Sequence, residues 1–153
     1  MENIIVPSWP GIEREKPSIF FTTHEIDFEL VNQPAIAAWL TDAIDAEGYE
    51  LNRIDYIFCS DDYLLGINKT HLEHDEYTDI ITFPLEDNPI VGEIYISIDR
   101  VGENAAAFNI GFENELHRVM IHGVLHLCGY DDHEDEDVVE IRAKEEDYLT
   151  RLP

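Results

Sequence analysis

The stretch HGVLHLCGYDDH, residues 122–133, concentrates the residue types able to hold a metal ion. His122 and His126 are four residues apart, so on a helix they rise about 6 Å and share a face. Two imidazoles so placed can ligate one ion, although the same spacing also joins ordinary half-buried histidines. Gly129 strengthens the metal reading, because a glycine there can turn left-handed, end the helix and bring the chain back toward the imidazoles. In the register H-x-x-x-H-x-x-G-x-x-H, the third-ligand position is Asp132. His133 is the alternative third ligand, reached through a one-residue bulge. Zinc suits two imidazoles and a carboxylate, other divalent ions being possible, and an open fourth position would allow chemistry on water or phosphate. His122 and His126 are thus both candidate metal ligands and candidate catalytic residues. Two departures argue against a peptidase. Position 123 is glycine, where metallopeptidases carry a glutamate base, and no methionine follows the site.

These residues need a helix to carry them and a scaffold around it. FENELHRVMIHGVLHLCG has apolar residues (Leu116, Val119, Met120, Val124, Leu125, Leu127) on more than one stripe, which predicts a central helix buried on most sides. Pro7, Pro10, Gly11 and Pro17 mark an irregular entry segment. SIFFTTHEIDFEL (18–30) reads as a strand or hairpin. Asn32 is a candidate cap for a helix with Pro34 in its first turn. Its apolar face holds Ile36, Trp39, Leu40, Ala43 and Ile44, and Gly48 stops it. LNRIDYIFCS (51–60) is a strand, and SDDYLLGINKTHL a helix with a capping serine and an acidic first turn. TDIITFPL (78–85) and GEIYISID (92–99) are strands joined by a turn at EDNP. DRVGENAAAFN and the acidic amphipathic segment EDEDVVEIRAKEEDYLTRL complete the helices. The pattern predicts one α+β domain over residues 1–153, a small mixed sheet packed by helices around the metal-bearing helix. Asp79 and Glu93 fall near predicted strand ends, either as orienting groups for ligands or water or as solvated edge acids.

Charge limits the partners. The chain has 34 acidic residues against 9 lysines and arginines, a formal net charge of −25. Such a surface repels nucleic acid at low salt, which excludes a broad electrostatic DNA-binding face. Adaptation to a salty cytoplasm accounts for the excess better than solubility alone, because screening shortens the self-repulsion. Cys59 and Cys128 form no C-x-x-C and read as reduced thiols. MENIIVPSWPG has neither a basic leader nor a long apolar run, so the expected location is cytoplasmic with no membrane partner.

ELHRVMIHGVLHLCGYDD resembles the signature of the YbeY family, bacterial endoribonucleases with a metal-binding H-G-x-L-H-L-x-G-Y-D-H motif. TDIITFP is similar to that family's T-D-V-L-S-F-P strand, and GEIYIS to its G-D-I-x-I-S strand. LGINKTHLEHDEYTD resembles the helix and loop before them, so the likeness runs from roughly Asp55 to Leu149 in order. The resemblance implies a zinc-type ion on His122, His126 and Asp132, the last where most members have histidine. It implies a hydrolase cleaving single-stranded RNA, with the small ribosomal subunit and its rRNA as partners. Maturation of the 16S 3′ end and ribosome quality control are the implied roles. An arginine usual before T-D in the family aligns with Leu72 here, with Lys69, His71 and His74 nearby. That departure leaves a second reading, an assembly factor with little cleavage of its own.

Overall fold

A computed structural model of the chain describes residues 16–72 and 76–153, without the side chains of His71 and Leu72. The expected irregular entry at Pro7, Pro10 and Gly11, the side chain of His71 and the whole of His74 lie outside the described residues.

Four strands and five helices are present among the described residues: β1 (Ser18–His24), α1 (Gln33–Ala46), β2 (Leu51–Cys59), α2 (Asp61–Leu72), β3 (Ile80–Asp87), β4 (Ile90–Ser97), α3 (Ile98–Phe108), α4 (Phe112–Leu127) and α5 (Asp135–Leu149). The sheet order is β1-β2-β4-β3. β1–β2 and β2–β4 are parallel, and β3–β4 is antiparallel. This is the α+β arrangement with a mixed sheet.

Alternation along β4 decides which helix covers which face. Ile90, Gly92, Ile94 and Ile96 point into the main core with Leu116, Met120, Val124 and Leu127 of α4 and with Ile36, Leu40 and Ile44 of α1. Tyr95 points the other way, into a smaller cluster with Leu64 of α2, Ile81 and Phe83. Two glycines let α4 lie close on the sheet. A Cβ at Gly123 would fall 3.0 Å from Ile94 Cδ1 and 3.1 Å from Ile80 Cδ1, and one at Gly92 would fall 3.0 Å from both methyls of Leu127. Gly123, where a metallopeptidase would carry its glutamate base, is therefore a point of close packing that any side chain would crowd.

Several expectations shift in detail. Only Ser18–His24 is strand, so 18–30 is not a hairpin; Phe28 and Leu30 instead fold back onto the core. Asn32 begins α1 in a left-handed conformation (φ 59°) without a side-chain cap, its carbonyl accepting from the Ile36 N–H at 3.0 Å. The β3–β4 turn is confined to Asn88 and Pro89, because Glu86 and Asp87 pair with Val91 and Ile90. Ser60 caps α2 as expected, its Oγ accepting from the Tyr63 N–H at 3.1 Å. Gly48 (φ +84°) ends α1 as expected.

Candidate metal centre

The site begins with how α4 ends. Cys128 closes the helix, and Gly129 takes φ +97°. The Gly129 N–H then donates to the His126 carbonyl at 3.0 Å, and the Tyr130 N–H to the Leu125 carbonyl at 3.0 Å. This paired closure is a Schellman motif, and it satisfies carbonyls a helix end would otherwise leave orphaned. It also fixes Tyr130, whose carbonyl accepts from His126 Nδ1 at 2.9 Å. The Tyr130 hydroxyl donates to Glu47, just past α1, at 2.8 Å. Glu47 also accepts from Tyr148 and pairs with Lys144 at 3.3 Å. Burial raises the Glu47 carboxyl, but these donors outweigh it and hold the group below its ordinary range.

On its other side α4 meets α5. His122 Nδ1 lies 2.5 Å from Glu145 Oε2. Glu145 is 1% exposed and also accepts from Arg118 Nη1 at 3.1 Å. Arg118 in turn forks onto fully buried Glu115 through Nε at 2.9 Å and Nη2 at 2.6 Å. Burial alone would raise Glu145, but His122 and Arg118 hold it ionised, below its ordinary value.

With both Nδ1 atoms committed to acceptors, the Nε2 atoms turn inward. They lie 2.9 Å apart, and Asp132 Oδ2 lies 3.5 Å from His122 Nε2 and 3.4 Å from His126 Nε2. A neutral imidazole that carries its proton on Nδ1 would present an Nε2 lone pair there, and Asp132 adds a carboxylate oxygen. Two imidazoles protonated in that way and a carboxylate form a donor set suited to a cation. The donor atoms of His122, His126 and Asp132 all lie within 4.8 Å of one another. His133 lies outside this convergence, its side chain 80% exposed and paired with Asp131 at 3.2 Å.

The three groups open onto a cavity of about 750 Å³, also lined by Asn68, Tyr77, Thr78, Asp79 and Thr82. Asp79 is a cavity-wall residue rather than a solvated edge acid; burial pushes its carboxyl up despite the nearby Arg118, and Asn104 Nδ2 donates to it at 3.5 Å. Glu93 is not on the wall. It sits on a central strand and accepts from the Tyr95 hydroxyl at 3.4 Å. Cys59 and Cys128 are buried with thiols pushed up to about 12 by burial, so neither offers a ready thiolate. No described helix is long and apolar enough to cross a membrane.

Sequence reasoning missed Glu115, Arg118 and Glu145. A signal was present in α5, where Ile141, Glu145 and Tyr148 follow helical spacing and are all buried. An acid inside such a stripe requires a buried partner.

Comparison with known proteins agrees with fold and motifs. A family model described as Endoribonuclease YbeY matches residues 21–153. Proteins named Endoribonuclease YbeY from Flavobacterium psychrophilum and Cytophaga hutchinsonii are 49% and 42% identical to this chain. The first match covers 82% of this chain and 91% of that protein, the second 89% and 96%. The solution structure of TM1509 from Thermotoga maritima is 32% identical, with a TM-score of 0.63 over 88% of this chain and 89% of that one. A match that starts within β1, runs past α5 and includes every residue of the converging site makes this chain a member of the YbeY endoribonuclease family.

Proposed function

We propose that this chain, as one domain over residues 1–153, is a metal-dependent endoribonuclease specific for single-stranded RNA. Its substrate is the 3′ region of 16S rRNA on the small ribosomal subunit, in the cytoplasm, where it serves rRNA maturation and ribosome quality control. Membership of an endoribonuclease family supports the reaction class. The observation that carries the metal dependence is the meeting of two imidazole Nε2 atoms and Asp132 Oδ2.

His122, His126 and Asp132 would hold one zinc-type divalent ion. Bound there, the ion supplies Lewis-acid chemistry toward a phosphodiester and its attacking water. The chain supplies the rest. Glu145 and the Tyr130 carbonyl keep the imidazoles aimed inward. Thr78 and Thr82 place neutral polar groups along the cavity wall, and Tyr77, 50% exposed with the Arg100 guanidinium over one face of its ring, leaves the other face for a base. Asp79 stands on the cavity wall, where burial pushes its carboxyl up. With a net charge of −25, attraction for phosphate must be concentrated at the metal rather than spread over the surface. Asp132 reduces the formal site charge to about +1, against about +2 for three histidines, so the Lewis acid is weaker.

The same acidity, with Leu72 where the family usually has arginine, favours the second reading of an assembly factor with little cleavage of its own. One experiment separates the two. Bound metal and cleavage of an rRNA fragment are measured for the wild type and for His126→Ala, Asp132→Ala and His133→Ala. The nuclease reading expects metal and cleavage to be lost together in the first two variants only. Equal cleavage by all four proteins would expose a contaminant and sink it. Metal-replete protein without cleavage supports the assembly factor. Metal lost in His133→Ala but kept in Asp132→Ala would replace Asp132 by His133 as ligand.

A further inference from the structure

We propose that Glu145 is a positioning residue that holds His122 in the Nδ1–H tautomer, and that Arg118 and Glu115 lock it in that role. The inference rests on the metal-centre reading but concerns residues outside the ligand set.

Glu145 has two oxygens with two assignments. Oε2 accepts from His122 Nδ1 at 2.5 Å, and Oε1 accepts from Arg118 Nη1 at 3.1 Å, with Arg142 Nη1 more distant at 3.4 Å. An ionised carboxylate accepts but cannot donate, so the shared proton sits on Nδ1. The opposite tautomer would set the Nδ1 lone pair against a buried anion and would cap Nε2 with a proton, removing its lone pair from the site.

The lock makes this arrangement specific. Arg118 presents a rigid planar fork, with Nε and Nη2 on Glu115 and Nη1 on Glu145. Glu115 is one turn before Arg118 on α4, and His122 is one turn after it. One helix therefore carries the anchor, the fork and the imidazole, while α5 contributes the carboxylate between them. Glu115 and Glu145 are 0% and 1% exposed, so water does not compete for either. His126 differs, being oriented by the neutral Tyr130 carbonyl. A carboxylate partner makes an imidazole the more basic ligand, so His122 is the stronger of the two donors.

Glu145→Gln tests this with almost no change in shape. An amide has one accepting end and one donating end, but position 145 faces donors on both sides. If the oxygen stays on Arg118, the amide NH₂ meets His122 Nδ1 and drives the proton to Nε2. If the oxygen turns to His122, NH₂ is pressed against the guanidinium. Zn²⁺ affinity is read by chelator competition on the full chain, beside Arg53→Gln, a surface arginine on β2 paired with Asp55, as a control away from the cluster. Glu145→Gln should weaken Zn²⁺ binding by about 10–100-fold and the control by less than about twofold. The tautomer is read separately from imidazole ¹⁵N shifts of the metal-free wild type, at a pH where the ring is neutral. Those shifts should show Nδ1–H at His122. Affinity within about twofold of wild type in a folded Glu145→Gln, or an Nε2–H tautomer in the wild type, overturns the role of Glu145. Should the variant not fold, the wild-type tautomer still decides. Wild-type protein that binds no Zn²⁺ would overturn the metal reading instead, which keeps the two failures apart.

Discussion

Replacing Gly123 by alanine should lower stability, whereas the same change at Gly66 should raise it. Both glycines lie inside helices, α4 and α2, so each substitution gains about 1 kcal/mol of helix propensity. Their surroundings differ. A Cβ at Gly66 meets nothing within 4 Å, while one at Gly123 meets Ile94 Cδ1 at 3.0 Å and both Ile80 Cδ1 and Ile94 Cγ2 at 3.1 Å. Carbon pairs are comfortable at about 3.5–4.0 Å, so three contacts are too short by roughly 0.5–1 Å. Ile94 is fully buried on a central strand and has little room to move. Overpacking of this kind costs about 1–3 kcal/mol. After the propensity gain, Gly123→Ala should be about 0–2 kcal/mol less stable than wild type and Gly66→Ala about 1 kcal/mol more stable. Urea melts with equal m-values measure both, and the gap between the variants isolates the steric cost. Because His122 and His126 flank Gly123 on α4, any lift of the helix should also weaken Zn²⁺ binding. A Gly123→Ala protein as stable as Gly66→Ala would refute the close seating of α4 on the sheet.

Three further outcomes are expected. Alanine at Gly129, where φ is +97°, should cost about 1–2 kcal/mol in a thermal melt and loosen Zn²⁺ binding, because the left-handed turn also sets Tyr130 and Asp132. Glu47→Gln should cost about 1–3 kcal/mol near neutral pH, where three donors lose a charged acceptor. The Glu47 carboxyl is lowered in the fold, so its contribution is full above the ordinary value of 4.5 and disappears as pH falls through the folded value; wild-type and variant melts should converge there, and a gap independent of pH would count against the assignment. With a net charge of −25, melting temperature should rise as KCl is taken into the molar range, and a flat or falling curve would remove the high-salt explanation of the acidity.

Local patterns carried most of the fold. The buried face of α1 and its stop at Gly48 follow from helical spacing and a positive φ, both properties of short stretches of chain. The all-round apolar character of HRVMIHGVLHL likewise announces a central helix, and α4 is that helix. Gly129 was legible because a helix-ending glycine has one well-defined geometry. The β1-β2-β4-β3 order was not legible, because strand pairing depends on partners far apart in the chain. The partner of Glu145 was hidden for the same reason: the spacing of Ile141, Glu145 and Tyr148 can mark a buried acid, but His122 is 23 residues away. Gly123 was noticed for the chemistry it lacks, while its physical reason lies in two isoleucines on neighbouring strands.

Tyr130 joins the site loop to distant parts of the chain. Its backbone holds His126, while its hydroxyl and that of Tyr148 share the carboxylate of Glu47. The loop after α4 therefore cannot open alone; opening it disturbs the end of α1 and the last turns of α5 together. Amides of Gly129 and Tyr130 should then exchange with solvent in step with those at the end of α1, as one cooperative unit. A loop tied in this way has already lost its freedom before any ligand arrives, so loading the site requires little additional ordering.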